Sequence, residues 1–328
     1  MRTYATLAAV LGCVLALQAH AQKPAAGSAR DFPTKPVRVI IAFPAGSATD
    51  IIGRVIAQKV SEYWGQTAIT DNRGGAGGSI ASSIAAKAAP DGYTLIINSS
   101  AHAINPSMYA KLPYDTRKDF TDITRLVGQP NVLIVQPAAP FKSLGDFLAE
   151  ARTKPGSINF AFAGLGSGTH LNLEKFKLAA KVDVTPVSYK GSGEAINDVM
   201  GGRVHTYFAP ISAGISFIRA NRVRALAVTS AQRSSQLPDV PTVAESGVPG
   251  FEFILWFGLW APAGMPQPII DKVWADFNRA LKDPATREKL AALGNEAMPM
   301  KPAEFRKFVE QEIAEYARIF RAAGIRPQ

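Results

Sequence analysis

The chain is 328 residues long, 47% hydrophobic and 19% charged, with a formal net charge of +10 at pH 7. That length exceeds one compact core of ordinary size and suits two domains, and the mix excludes wholesale disorder. No basic run exceeds two consecutive residues, so the excess reads as a solvated surface mildly attractive to anions, not as a nucleic-acid tract.

The first 21 residues have the anatomy of a secretory signal: Arg2, an apolar run from Ala5 to Leu17, and Ala19-His20-Ala21 as a small-x-small cleavage site before Gln22. Val10-Leu11-Gly12-Cys13 loosely resembles a lipobox, but the apolar run continues past Cys13 to the cleavage site. Cys13 is the only cysteine, so the mature chain has no disulfide and no thiolate metal site. No later stretch reaches about 18 apolar residues, which argues against stable membrane insertion. The expectation is a mature protein that is soluble outside the cytoplasm.

Strand-like and helix-like segments then alternate. Val37 to Phe43 reads as a buried strand, followed by Ile52, Ile56 and Val60 at helical spacing and Gly65 as a cap. Leu95–Ile97, Val132–Val135, Ile158–Ala163, Pro186–Tyr189, His205–Phe208 and Ala225–Val228 read as further strands. Continuous apolar strands alternating with helices predict parallel sheets covered on both faces. Phe251–Trp260 reads as one long strand, and two amphipathic helices follow over residues 267–294 and 302–323, the first broken at Asp283-Pro284. No internal repeat stands out. The pattern predicts a discontinuous first domain, residues 22–126 plus 252–328, and a continuous second domain, residues 127–251. Two crossing segments then form a hinge suited to closure around a ligand.

Ligands in such sheets bind beyond the carboxyl ends of the strands. Five junctions there are rich in glycine and small polar residues: Phe43–Asp50, Asn98–His102, Gly164–His170, Tyr189–Gly193 and Ala209–Ser212. Glycine admits close backbone approach, helix N-termini offer unpaired N–H groups, and hydroxyls add donors, a combination that holds an anion without lysine or arginine. The same residues also serve as ordinary helix caps. A dicarboxylate offers one anionic end to each of two facing lobes.

Signatures of catalysis are missing. Gly164–Thr169 fails the dinucleotide pattern because Thr169 takes the last glycine position, and no phosphate-loop or nucleophile-elbow motif occurs. His102, His170 and His205 show no metal-ligand spacing. His102 and His170 each follow a glycine- or serine-rich loop and are candidates either to donate to a ligand or to brace their own loops. Phe43 ends the first strand at its ligand-facing tip; Trp256, Phe257 and Trp260 fit a core or a cleft wall. A hydrolase built on Ser167 and His170 lacks an evident carboxylate to orient the histidine.

At these loops the chain resembles the Bug receptors, the periplasmic solute-binding proteins of tripartite tricarboxylate transporters. The resemblance rests on Pro44-Ala45-Gly46 with Asp50, Asn72-Arg73-Gly74-Gly75, Pro90-Asp91-Gly92-Tyr93, His102-Ala103-Ile104-Asn105-Pro106, Gly166-Ser167 with His170-Leu171, Tyr189-Lys190-Gly191 and Ala261-Pro262-Ala263-Gly264. It implies a two-domain Venus flytrap of type II-like α/β architecture with a ligand cleft between the lobes. It further implies periplasmic capture of a small organic acid, with Ala45, Gly46 and Ser47 facing Gly166, Ser167, Gly168, Thr169 and His170. Phe43, Ser99, His102 and Tyr189 complete the candidate set. The implied partner is a two-subunit membrane carrier, served by a monomer that uses no cofactor or metal and catalyses nothing; a ligand-presenting co-receptor for a membrane sensor would share the same cleft. Two positions depart from the family pattern. Ser47 stands where glycine is usual, and Glu194 stands where proline is common, so a carboxylate enters the picture near the acid.

Overall fold

The computed structural model describes residues 31–328. The expected signal segment and Cys13 lie outside the described residues.

In the first half, β1 (Val37–Ile41) leads into α1 (Ala48–Trp64), β2 (Ala68–Asn72), α2 (Ser79–Ala86), β3 (Thr94–Ser99), α3 (Ala101–Met108) and the long β4 (Phe120–Val135). The middle continues through α4 (Leu144–Thr153), β5 (Asn159–Phe162), α5 (Gly168–Ala180), β6 (Thr185–Ser188), α6 (Ser192–Met200), β7 (Thr206–Pro210), α7 (Ile211–Arg219) and β8 (Arg224–Val228). The chain closes with β9 (Ile254–Pro262), α8 (Gln267–Lys282), α9 (Pro284–Ala292), β10 (Glu296–Ala297) and α10 (Pro302–Ala322).

Local chemistry accounts for these bounds. Ile52, Ile56 and Val60 give α1 its buried stripe, and Gly65 ends it in the left-handed region at φ 59°. Asp283 separates α8 from α9 by accepting from the Thr286 amide at 2.9 Å, with Pro284 at the first helical position.

β4 is the frame of the molecule. It pairs antiparallel with β9 from Phe120 to Pro130, then with β7 from Asn131 to Val135 and with β8 from Val132 to Val135. One sheet therefore runs β2-β1-β3-β9-β4, and a second runs outward from β4 through β7, β5 and β6. The expectation of parallel sheets is corrected here. β1 pairs parallel with β2 and β3, and β5 with β6 and β7, but β4 and β9 run antiparallel to their neighbours. A continuous apolar run reports burial on both faces and carries no information on direction. Only the last four residues of β4 were expected as strand. Register shifts at Asp122/Thr124 and Arg125/Val127 break the alternation that would have marked the rest.

The lobes lie on either side of the change of partner at Pro130/Asn131, and the chain returns between Phe253, which donates to Thr229 O at 2.7 Å, and Ile254. The tips of β1 and β3 in one lobe face those of β5, β6 and β7 in the other. α10 packs on α3 of the first lobe and α5 of the second, so it straps the joint.

Candidate functional site

The two lobes carry the same local device. After β1, the turn Pro44-Ala45-Gly46-Ser47 closes with the Ser47 amide donating to Pro44 O at 3.1 Å; after β5, Gly164-Leu165-Gly166-Ser167 closes with the Ser167 amide donating to Gly164 O at 3.1 Å. Gly46 and Gly166 sit at φ 75° and 74°, the conformation a type II turn requires at its third residue. Ser47 and Ser167 then cap α1 and α5 in matching extended geometry. Ser47 Oγ accepts from Asp50 N at 3.3 Å, and Ser167 Oγ accepts from His170 N at 3.2 Å. The shared letters are Gly-Ser-x-Thr. This is a short internal repeat where none was expected, because its signal is only four residues long.

Each cap satisfies one orphan amide of its helix and leaves two. Among the described residues, the amides of Ala48 and Thr49 on α1, and of Gly168 and Thr169 on α5, have no acceptor. Four unpaired donors at two positive helix ends favour an anion without needing a cationic side chain.

These ends meet at one narrow crevice. All five glycine- and hydroxyl-rich junctions reach it: Phe43 and Ser47–Thr49 from the first, Ser99 from the second, Ser167–Thr169 from the third, Ser192 from the fourth and Pro210 from the fifth. Ala163, Leu255 and Phe257 complete the lining. Wider depressions occur elsewhere, one of them between β10 and the Ser230–Ser235 loop, but none of the five junctions lines it.

Of the predicted site residues, Phe43, Ser47, Ser99, Ser167, Gly168 and Thr169 line the crevice. Ala45 and Gly46 are exposed at the turn apex, and Gly166 forms the matching turn opposite. His102, His170 and Tyr189 do not line it. His102 is sealed in the first lobe against Trp260, ring centroids 4.3 Å apart, and Phe120; burial pushes its pKa down to about 3. His170 stacks on Phe162 at 4.6 Å and meets Phe320 of α10 at 5.6 Å; burial, aided by Lys177, lowers its pKa to about 4. Tyr189 turns its hydroxyl to Asp198, donating at 2.9 Å; burial and that carboxylate push its pKa up to about 12.

Both departures from the family pattern have a structural explanation. The Ser47 hydroxyl folds back as a cap, and Glu194 is exposed and accepts from the Lys190 amide at 3.1 Å, outside the crevice. Ser167 Oγ is engaged with the His170 amide and Thr169 Oγ1, while the His170 ring lies in its aromatic stack. No nucleophile–base pair forms between them. The lining residues outside the predicted set are Ala48, Thr49, Ser192 and Pro210, which lie within the junctions singled out by sequence, and Ala163, Leu255 and Phe257. Leu255 and Phe257 share one face of β9, but the strand is buried along nearly its whole length, so hydrophobic spacing could not single them out.

Comparison with known proteins gives the family. The sequence profile described as "Tripartite tricarboxylate transporter family receptor" matches residues 52–325. The chain belongs to that receptor family. It is 36% identical to Protein BugT of Bordetella pertussis over 320 residues, covering 97% of each chain. Two receptor structures share its fold. One is Rpa4515 of R. palustris with adipate, at 36% identity and TM-score 0.86, covering 90% of this chain and 100% of that one. The other is MatC of Rhodopseudomonas palustris with bound malate, at 32% identity and TM-score 0.81, covering 88% and 99%. Receptors of this family are two-lobed, and the strand-tip crevice lies where the lobes meet. Among the described residues no helix is long and apolar enough to cross a membrane, and no cluster of His, Cys, Asp or Glu is suited to a metal.

Proposed function

We propose that this protein is a periplasmic solute receptor that captures a small mono- or dicarboxylate, aliphatic or aromatic, between its lobes and performs no chemistry on it. The observation that carries the reading is the pair of matched turns, which bring the open amides of Ala48 and Thr49 and those of Gly168 and Thr169 to one crevice. An anion near a helix N-terminus gains about 0.3–1 kcal/mol, and up to about 2 when partly buried. Two such ends acting on the two ends of a diacid give useful affinity without a salt bridge. The adipate and malate carried by related receptors support the choice of ligand class. Phe43 and Phe257 supply an apolar wall for the body of the ligand.

On this reading a lobe of residues 22–126 plus 252–328 closes on a lobe of residues 127–251. The partner switch in β4 and the β8–β9 return serve as the two hinge segments. The receptor acts as a monomer outside the cytoplasm after removal of residues 1–21, and hands its cargo to a two-subunit membrane carrier. Mass spectrometry of solute released from gently purified protein, with a thermal-shift screen of organic acids, tests it. A bound acid at a hundred times its dissociation constant adds about 2.7 kcal/mol to the folded state, a clear upward shift in Tm. A broad acid screen without a shift, and no co-purifying acid, refutes the proposal.

A further inference from the structure

We propose that the groove between β10 and the Ser230–Ser235 loop is a second ligand site, for a small oxyanion such as phosphate or a carboxylate, and that its occupant favours the arrangement of the lobes seen here; the coupling rests on the receptor reading above. The groove has a volume of about 410 Å³, within the roughly 300–1,000 Å³ of small-molecule sites. It shares no lining residue with the crevice.

Its positive charge comes from both lobes. Arg287 reaches it from α9 in the first lobe, and Arg233 from the loop after β8 in the second. Arg287 is exposed, and its guanidinium makes no hydrogen bond or ion pair among the described residues. Arg233 is held in place: its Nε donates to Glu245 at 3.1 Å and its Nη1 to Pro238 O at 3.3 Å, which leaves Nη2 open. Guanidinium groups match the paired oxygens of phosphates and carboxylates. Glu296 is the one acid in the lining, so two cations stand against one anion. The wall adds an unused donor. Gln129 lines the groove at 1% exposure, and its Nε2 has no acceptor. A buried donor left unpaired costs about 1–3 kcal/mol, which an anionic occupant offsets.

The same residues belong to the joint. Gly128–Pro130 and Ile254 line the groove and are parts of the two crossing segments. Rotation of the lobes about those segments therefore changes the separation of Arg233 and Arg287. Gln129 Oε1 accepts from the Ser212 amide at 2.9 Å, two residues beyond Pro210 in the crevice lining. Gly294 of the groove meets Ile211 so closely that a Cβ built on it would stand 2.7 Å from Ile211 Cγ2. The lobes are in contact here, since Gly77 of one abuts Leu165 of the other. An oxyanion that bridges the two arginines in this arrangement loses the bridge when the lobes part. It therefore stabilises the arrangement that also holds cargo. By linkage, cargo tightens the groove site by the same factor.

Amide NMR of the mature chain, titrated at constant ionic strength with inorganic phosphate and separately with acetate, tests the site. Saturable shifts are expected at the Ser234, Ser235 and Glu296 amides, with a Kd at least about tenfold higher in Arg287→Gln. The lower of the two Kd values identifies the source of the oxyanion. Shifts that saturate with neither probe, or equally well in the folded variant, overturn the site. Calorimetry with adipate, or with the acid that co-purifies, reads the coupling. Saturation of the groove with the tighter probe should lower the Kd of the cargo acid about fivefold in the parent and leave it unchanged in Arg287→Gln. An unchanged or higher Kd in the parent overturns the coupling and leaves the receptor reading standing. A chain that binds no acid in the crevice overturns that reading and the coupling with it, while the shifts at Ser234, Ser235 and Glu296 still decide the groove.

Discussion

The phenol of Tyr109, at the end of α3 in the first lobe, donates to the carbonyl of Leu165, 3.0 Å away in the turn that precedes α5 in the second. Asn105 on the same helix donates to Gly77 O at 3.3 Å. Gly77 in turn lies so near the opposite lobe that a Cβ built on it would stand 2.2 Å from Leu165 O. On the closure proposed above, Tyr109 is a latch that opening of the lobes would break. Tyr109→Phe removes one neutral hydrogen bond, worth about 1 kcal/mol, which shifts the open–closed balance roughly fivefold toward open. Spin labels on cysteines at exposed Lys87 and Lys154, one per lobe, read that shift as a longer distance distribution; an unchanged distribution removes the latch from the closure equilibrium.

Gly46 and Gly166 share a left-handed φ but differ in what surrounds them. A Cβ on Gly46 meets nothing within 4 Å, whereas one on Gly166 would stand 2.6 Å from Asn105 Oδ1 in the other lobe. Both alanine variants carry backbone strain of about 1–2 kcal/mol. Gly46→Ala should lose only that stability. Gly166→Ala should lose it and also hold the lobes apart, cutting affinity for a bound acid at least about tenfold beyond the loss in Gly46→Ala. Parallel urea melts and titrations separate the two effects, and equal affinity losses would show that Gly166 does not limit closure.

These contrasts also mark what sequence could carry. The five junctions were legible because the glycine-and-hydroxyl pattern recurs after five apolar strands, whereas any one of them alone reads as an ordinary helix cap. The placement of His102 was not, because a histidine after a serine-rich loop reads alike whether it faces a ligand or stacks on Trp260. β4 was hidden by buried polar residues such as Thr124, Gln129 and Asn131, which look like loop until their partners are known: the Thr229 hydroxyl accepts from the Asn131 amide from 98 positions away. The mirror relation of Ser47 and Ser167 needed a third dimension, since neither turn predicts the other.

Buried histidines make the fold acid-sensitive. The pKa of His102 is pushed down to about 3 and that of His170 to about 4, each chiefly by burial. An unfolded histidine titrates near 6.5, so below that pH the unfolded chain binds more protons and stability falls as pH falls. The loss begins near pH 6.5 and is complete near the folded values. Asp122 works oppositely: burial raises its pKa to about 6, so it becomes stabilising as pH drops through that value. Urea melts between pH 7 and 4.5 should show a shallower pH slope for His102→Gln than for the parent, by at most about 1.4 kcal/mol per pH unit. Parallel slopes would mean that His102 takes up its proton in the folded chain as readily as in the unfolded one.

Asp50 decides how firmly the first anion turn is held. Its carboxylate gathers the Gly46 amide, Asn72 Nδ2 and Arg54 Nε, while Arg54 also donates to Asn72 Oδ1 at 2.9 Å, and Asn72 donates to Phe43 O at 3.0 Å. The turn is thereby tied to β2. Asp50→Asn keeps the shape but turns one acceptor into a donor facing donors, a cost of about 1.5–3 kcal/mol. It also removes a negative charge near the proposed carboxylate, which by itself would favour an acid. Arg54 already balances that charge at 2.7 Å, so the gain is small and disorder of the turn dominates. Affinity for a probe acid such as adipate should fall about tenfold in Asp50→Asn, with little dependence on salt. Arg54→Gln provides the contrast, leaving the carboxylate buried and uncompensated, so adipate should be repelled most at low ionic strength and recover partly at high. The same salt response in both variants would mean that charge, and not the held turn, sets the strength of this end of the site.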